Sequence, residues 1–228
     1  MGRGSGKINM DKEFSVAIVG GTGNLGTALA QRLAAPGVRV LIGSRDPAKA
    51  QTVVESLKPK VTQGKLEGRG NQEAVKEAEF IVIAVPYEGH AQIVADLKGQ
   101  LAGKTVIDTV VPLQKGKPFV PPAGSALLEA QKIIEGEAPV VGALHNISAA
   151  DLGDSAAALG DVLVCSDSAE AKDKVMEILR RIGARAFDAG PAANAYVIEG
   201  LTGVLIHLNR KYKSKHASVK VTGIGKNK

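Results

Sequence analysis

The 228-residue chain has one cysteine, no tryptophan, three tyrosines and four phenylalanines. The single Cys165 excludes an internal disulfide and any site built from several cysteine ligands, and it favours a reducing, cytoplasmic setting. With so few aromatics, Val, Ile, Leu and Ala must build the core, which suits a parallel sheet covered by helices on both faces. No apolar run reaches the ~18 residues that a membrane span requires. The N-terminus, MGRGSGKINM, is basic but has no apolar stretch behind it, so it does not read as a secretory signal. Gly6 stands where a myristoylation acceptor pattern wants Ser or Thr. Residues 1–13 read as a flexible leader.

Further absences narrow the chemistry. The four histidines (His90, His145, His207 and His216) show no HExxH, no paired spacing and no carboxylate cluster around them, so no metal site is expected. Gly-x-Ser-x-Gly is missing, and so is Tyr-x-x-x-Lys, since Ala91 follows Tyr87 and Gly200 follows Tyr196 at that distance. No nucleophile and no Tyr acid is therefore expected, and no catalytic side chain is assigned.

What is present is ordinary for a globular protein: 44% hydrophobic and 23% charged residues. The net charge of +6 is local. Between Arg210 and Lys228 stand seven basic residues and no acidic one, and without them the rest of the chain would carry −1. Such a strip suits an anionic partner or a solvated surface. It lacks aromatic interleaving, and no nucleic-acid motif accompanies it, so no nucleic-acid partner is expected.

Strand-like and helix-like segments alternate from Phe14 onward. Strands are expected at Phe14–Val19, Val38–Ile42, Phe80–Val85, Lys104–Asp108, Pro139–Leu144, Asp161–Cys165, Ala184–Asp188 and Ser218–Val221. Helices are expected at Asn24–Ala35, Pro47–Leu57, Asn71–Glu79, Glu88–Leu101, Ser125–Ile134, Ala169–Ile182 and Asn194–Tyr212. Lys58–Gly70 reads as a polar loop. Val110–Gly124, with Pro112, Pro118, Pro121 and Pro122, reads as a stiff extended connection. The pattern predicts an α/β protein: a Rossmann-like, doubly wound, mostly parallel sheet with a smaller C-terminal α/β portion. The expected division is residues 14–145 for dinucleotide binding and 146–228 for the portion that completes the cleft.

The first strand runs straight into Gly21-Thr22-Gly23-Asn24-Leu25-Gly26, which fits G-x-G-x-x-G between a strand and an amphipathic helix. In that setting Gly21 permits the sharp turn, Gly23 lets the backbone approach a pyrophosphate, and Gly26 lets the helix close on the sheet. An NAD site would place an acid at the end of the second strand; here Ser44 and Arg45 end it, with Lys49 one turn beyond. Donors and positive charge there favour the 2′-phosphate of NADP, although Asp46 is adjacent. Two later strand ends, Val85-Pro86-Tyr87 and Ala143 to Ser148, also fall where open α/β sheets bind ligands. His145 could relay a proton or serve as a hydrogen-bonded wall residue, the latter being the favoured reading. Cys165 reads as a small buried apolar residue.

Taken together, VGGTGNLG, GSR followed by Lys49, AVPYEGH, VVP, GALHNIS and DAGPAANA resemble the NADP-dependent reductases of the deazaflavin coenzyme F(420), from about Val16 to Ile224. The resemblance implies hydride transfer between NADP(H) and the deazaflavin, with the two coenzymes carrying the chemistry and the protein aligning them. It implies Thr22, Gly23, Asn24 and Leu25 along the pyrophosphate, and Ser44, Arg45 and Lys49 on the 2′-phosphate. Tyr87, Val111 and Ala149 would lie along the rest of NADP, and His145, Asn146 and Ile147 would border the deazaflavin. Tyr87 stands where the family pattern has Trp. The resemblance also implies a homodimer with small redox coenzymes as its partners. It gives the basic strip a role in attracting the anionic tail of the deazaflavin. Two alternatives remain at this level: an NADPH-dependent imino-acid or metal-chelate reductase of the same fold group, and a non-catalytic NADP-sensing module.

Overall fold

The computed structural model describes residues 13–61 and 63–224; the leader expected at residues 1–13 lies almost wholly outside the described residues. Strand β1 (Phe14–Val19) is buried along its whole length. Its alternate side chains feed two different cores: Val16 and Ile18 face one, Ala17 and Val19 the other. That two-sided burial is why the strand is a continuous apolar run. Parallel pairing extends from β1 to β2 (Val38–Ser44) on one side and β4 (Phe80–Ile83) on the other. Beyond β4 come β5 (Thr105–Asp108) and β8 (Val140–Gly142), also parallel. Beyond β2 lies β3 (Lys65–Gly70), which gives a six-stranded order β3-β2-β1-β4-β5-β8. The winding direction reverses between β1 and β4, so the crevice at their carboxyl ends is the natural ligand position.

Strand β3 corrects the loop expected at Lys58–Gly70. Its sequence, KLEGRG, has one apolar side chain, so no hydrophobic period marks it. It pairs with β2 from Arg39↔Lys65 to Ser44↔Gly70. Helix α2 (Pro47–Leu57) crosses so closely that a Cβ on Gly68 would meet the Gln51 nitrogen at 2.6 Å. The edge is closed by charge: Arg39 pairs with Glu67 and Glu77, and Arg69 pairs with the same two carboxylates.

Helices α1 (Asn24–Leu33), α2 and α7 (Ala169–Arg181) cover one face. Helices α3 (Asn71–Glu77), α4 (His90–Leu97), α5 (Ala126–Ile134) and the start of α8 (Ala195–Lys211) cover the other. The sequence-expected helices are all present, with ends displaced by up to a few residues, the usual fraying of helix termini. The proline-bearing connection contains one small hairpin, β6 (Leu113–Gln114) with β7 (Lys117–Pro118). A short helix, α6 (Ala149–Gly153), follows β8 and was not expected.

The C-terminal portion pairs β9 (Val162–Val164) in parallel with β10 (Ala186–Asp188). It is joined to the main sheet by an antiparallel bridge between Gly142 and Cys165. Arg32 of α1 adds a second tie, donating to the carbonyls of Ile182, Asp154 and Ala157 at 3.0, 2.6 and 3.0 Å. The strand expected at Ser218–Val221 does not form. Asp161 donates its amide to the Val219 carbonyl, but its side chain then accepts the Val221 amide, so the ladder stops after one bond.

Candidate active site

The loop after β1 is shaped by three glycines whose missing side chains do different things. Of these, Gly20 alone takes the left-handed conformation (φ 76°), and a Cβ there would in addition lie 2.7 Å from the Ala84 carbonyl oxygen. The sharp turn assigned to Gly21 from the sequence therefore belongs to Gly20. Gly21 is instead wedged between the Ile18 carbonyl and the Ile42 side chain, at 2.8 and 2.9 Å from an added Cβ. Gly26 packs against Gly21 and so brings α1 down onto the loop. Gly23 differs from these: an added Cβ would meet only the Gly20 carbonyl, at 3.5 Å. Its outer side is open, and it is the N-cap of α1 with no side-chain cap and no acid in the first turn. Backbone amides at an uncapped N-terminus, next to an open peptide, form an anion site. A pyrophosphate fits the residues present: Thr22, Gly23, Asn24 and Leu25 form the open rim of this turn.

Ser44 ends β2 with its hydroxyl accepting the Asp46 amide, while Arg45, just after the strand, and Lys49, in the first turn of α2, are both exposed. Asp46 is committed elsewhere, since its carboxylate caps α2 by accepting the Ala48 amide at 3.0 Å. The adjacent acid is thus a helix cap, and Arg45 and Lys49 are free to receive a 2′-phosphate. Asn71, at the start of α3, was not singled out from the sequence. Its side-chain oxygen accepts the Gly20 amide at 3.4 Å and presses on Gly43, tying the loop to the end of β2.

Tyr87 follows β4, Val111 follows β5 and Ala149 opens α6 after β8, so all three stand beyond carboxyl ends of the parallel sheet. The Tyr87 ring lies edge-on to Phe119, with centroids 5.3 Å apart, and stacks beside His90 at 6.2 Å. Its hydroxyl donates to Glu129 at 3.2 Å. Burial, then the Glu129 charge, pushes that phenol up to about 12.

The segment His145–Ile147 is buried, and Leu144 before it takes a left-handed backbone conformation (φ 67°). Asn146 donates to the Asp161 carbonyl at 2.7 Å, and Thr202 of α8 donates to the His145 carbonyl. Both ring nitrogens of His145 lack a partner among the described residues, so the protein itself supplies none of the hydrogen bonds expected of a wall residue there. Burial holds this imidazole neutral by pushing it down to about 4. Two buried polar atoms without a partner among the described residues call for a polar neighbour, such as a ligand edge or a bound water.

The absence of carboxylates around the histidines is also corrected. His90, fully buried, lies between Asp108 and Glu129, 2.8 Å from one and 3.0 Å from the other. Burial alone would lower its pKa, but the two carboxylates outweigh it and raise it to about 9. Nearby Glu199 of α8 caps α5 through the amides of Ala126 and Leu127, and burial pushes it up to about 7. One clue was available in the sequence: the apolar strand TVID ends on a charge. Among the described residues, no group of three or more His, Cys, Asp or Glu is arranged to hold a metal ion. Cys165 is buried as expected, and burial pushes its thiol up to about 12.

The chain is similar to known proteins in sequence and in fold. Residues 15–112 match the family described as NADP oxidoreductase, coenzyme F(420)-dependent. The F(420)-dependent NADP reductase of Methanocaldococcus jannaschii is 36% identical over 223 residues, covering 92% of this chain and 99% of its own. The enzyme of the same name from Methanothermobacter marburgensis is 36% identical with the same coverage. Among solved structures, an Arthrobacter sp. FB24 protein provisionally described as an F(420)-dependent NADP reductase superposes with a TM-score of 0.78. It is 27% identical over 92% of this chain and 99% of its own. This chain, with its glycine turn, its Ser44-Arg45 strand end and its histidine-bearing crevice, belongs to the F(420)-dependent NADP reductase family.

Proposed function

We propose that this protein transfers a hydride between NADP(H) and the deazaflavin coenzyme F(420). The observation that carries the NADP half is the junction of the uncapped α1 N-terminus with Ser44-Arg45, where the neighbouring acid Asp46 is already engaged as a cap. The family membership carries the deazaflavin half.

In this reading Thr22, Gly23, Asn24 and Leu25 hold the pyrophosphate, and Ser44, Arg45 and Lys49 hold the 2′-phosphate. Tyr87, Val111 and Ala149 flank the remainder of NADP, while His145, Asn146 and Ile147 border the deazaflavin. The coenzyme pair supplies the hydride chemistry. The chain's own task is to fix two ring planes in register and exclude water, for which buried, stiff walls are the right equipment. Neutral His145 can then donate or accept at a ligand edge without bringing a charge beside the reacting rings.

The reading also includes a cytoplasmic location and a homodimer. Tyr196, Val197 and Val204 of α8 are more than half exposed, beside exposed Phe119 and Val120, an apolar face that suits a second copy. No helix among the described residues is long and apolar enough to cross a membrane.

The test is to mix the protein with NADPH and oxidised deazaflavin coenzyme and follow the visible absorbance of the latter. Bleaching with NADPH and not with NADH is expected. NADPH binding without bleaching would remove the deazaflavin assignment.

A further inference from the structure

A continuous line of hydrogen bonds links the segments that follow β4 and β5. The Tyr87 hydroxyl donates to Glu129 Oε1, His90 Nδ1 lies 3.0 Å from Glu129 Oε2, and His90 Nε2 lies 2.8 Å from Asp108 Oδ2. Asp108 Oδ1 then accepts the Val110 amide at 2.9 Å. The line therefore begins on the segment after β4 and ends on the segment after β5, two parallel neighbouring strands on one side of the switch in winding direction.

The two carboxylates favour one charge state of the line. An ionised carboxylate only accepts, so serving both Asp108 and Glu129 requires both ring nitrogens of His90 to donate, which means an imidazolium. A neutral ring would leave one carboxylate facing a lone pair. Such a largely buried ion triad is no more stabilising than well-packed apolar side chains of the same size would be, so stability alone does not account for it. What it does provide is a fixed distance between two loops that no secondary structure joins. Thr109 reinforces one end by donating its hydroxyl to the Ile83 carbonyl at 2.8 Å. Glu199 anchors the N-terminus of α5, which carries Glu129.

We infer that His90, shared between Asp108 and Glu129, is a positioning residue for NADP(H), holding the Tyr87 ring and the Val110–Val111 backbone as the two facing walls of its site. The inference rests on the reading that Tyr87 and Val111 flank NADP. His90 itself touches no ligand; it acts through Tyr87 and the Val110 peptide. The titratable groups that face it are Asp108 on β5, Glu129 on α5, Tyr87 on the turn before α4 and Glu199 on α8, with His145 after β8 beyond Asp108.

The test compares wild type, His90→Gln and Tyr87→Phe. NADPH dissociation constants are read by nicotinamide fluorescence from pH 6.5 to 10, beside the Michaelis constant for the deazaflavin coenzyme, kcat and the melting temperature. In wild type, NADPH binding should weaken as pH rises through about 9, where His90 loses its proton. In His90→Gln it should be weaker by about tenfold at pH 7, as expected when a charge-assisted link is lost. That variant should also lack the alkaline limb of wild type, with the Michaelis constant for the deazaflavin changed by less than about twofold. Tyr87→Phe keeps the ring and the His90–Asp108 contact but cuts the line at its outer end. It should weaken NADPH several-fold, and it provides the measurement if His90→Gln fails to fold. A lower melting temperature in His90→Gln, with NADPH affinity and its pH profile as in wild type, would overturn the inference, as would wild-type affinity in Tyr87→Phe. Wild type that fails to bind NADPH at all would overturn the parent reading as well, so the two failures are distinct.

Discussion

Gly26 rests so closely on Gly21 that a Cβ added to Gly26 would lie 2.6 Å from the Gly21 Cα. Gly23, three residues earlier, has room for that same atom. The two positions therefore separate folding from binding. Gly26→Ala should push α1 off the loop, lowering the melting temperature and weakening NADPH by at least about tenfold, the larger of the usual backbone effects. Gly23→Ala should keep the wild-type melting temperature to within about 2 °C, because its conformation is ordinary for L-residues. It should still lose NADPH affinity, because the methyl occupies the open side of the peptide. Thermal melts with and without NADPH decide both; a Gly23→Ala protein that binds as wild type does would remove the pyrophosphate from this turn.

Arg45 and Lys49 are exposed at the end of β2 and the start of α2, with Asp46 turned to the Ala48 amide. Arg45→Ala should weaken NADPH by about tenfold or more, given ~1.5–3 kcal/mol for a charge-assisted hydrogen bond and ~1.4 kcal/mol per decade. NADH, which has no 2′-phosphate, should bind as before. The ratio of the two affinities is the useful readout, and an unchanged ratio would reverse the NADP preference argued here.

The buried titratable groups predict how stability follows pH. His90 keeps its proton in the native state up to about pH 9, whereas the unfolded chain releases it near 6.5. Its contribution is full below about pH 6.5 and is lost as pH climbs through 9. Glu199, raised from 4.5 to about 7 by burial, loses stability in the same direction between those values. His145 acts in the opposite sense: between pH 6.5 and about 4 the unfolded chain takes a proton that the native state refuses, so acid destabilises through it. Glu199 and His145 thus offset each other from about pH 4.5 to 6.5. A melting temperature nearly level over that range and falling by several degrees between pH 7 and 9 is expected in calorimetric scans at low buffer ionisation heat. His90→Gln should flatten the alkaline fall; an alkaline fall equal to wild type would assign it to other groups.

Salt tests the basic strip. Arg210 and Lys211 close α8, and Lys213, Lys215 and Lys220 follow in the exposed C-terminal segment. If this strip draws in the anionic tail of the deazaflavin, the Michaelis constant for that coenzyme should rise several-fold between ~20 and ~300 mM salt, as screening over a Debye length of ~8–10 Å takes hold. A triple Lys213→Gln, Lys215→Gln, Lys220→Gln variant should already start high and respond little. A constant that ignores salt in the wild type would leave the strip as solvated surface.

The elements that could be read from the sequence are those whose signal is local. Phe14–Val19 and Pro47–Leu57 match the structure residue for residue, one through an unbroken apolar run and the other through Asp46 as cap and Pro47 in the first turn. The glycine turn was legible for the same reason, although its left-handed residue is Gly20 rather than Gly21. Strand β3 was illegible because Lys65, Glu67 and Arg69 belong to an edge held by backbone pairing and ion pairs, neither of which leaves a hydrophobic period. Ser218–Val221 had a strand-like sequence, but its pairing is cut short by the Asp161 side chain. The His90 site escaped because its carboxylates lie 18 and 39 residues away in sequence and meet it only through the winding of the sheet.

Arg32 extends from the helix that offers its N-terminus to the pyrophosphate, and it grips three carbonyls in the later part of the chain. Ligand binding at one end of α1 and unfolding of the C-terminal portion are therefore thermodynamically linked. A nucleotide bound beside Gly23 stabilises by mass action everything that must come apart when α1 does. Heat should meet the whole chain as one cooperative unit, and saturation with NADPH should move that single transition upward intact rather than split it in two.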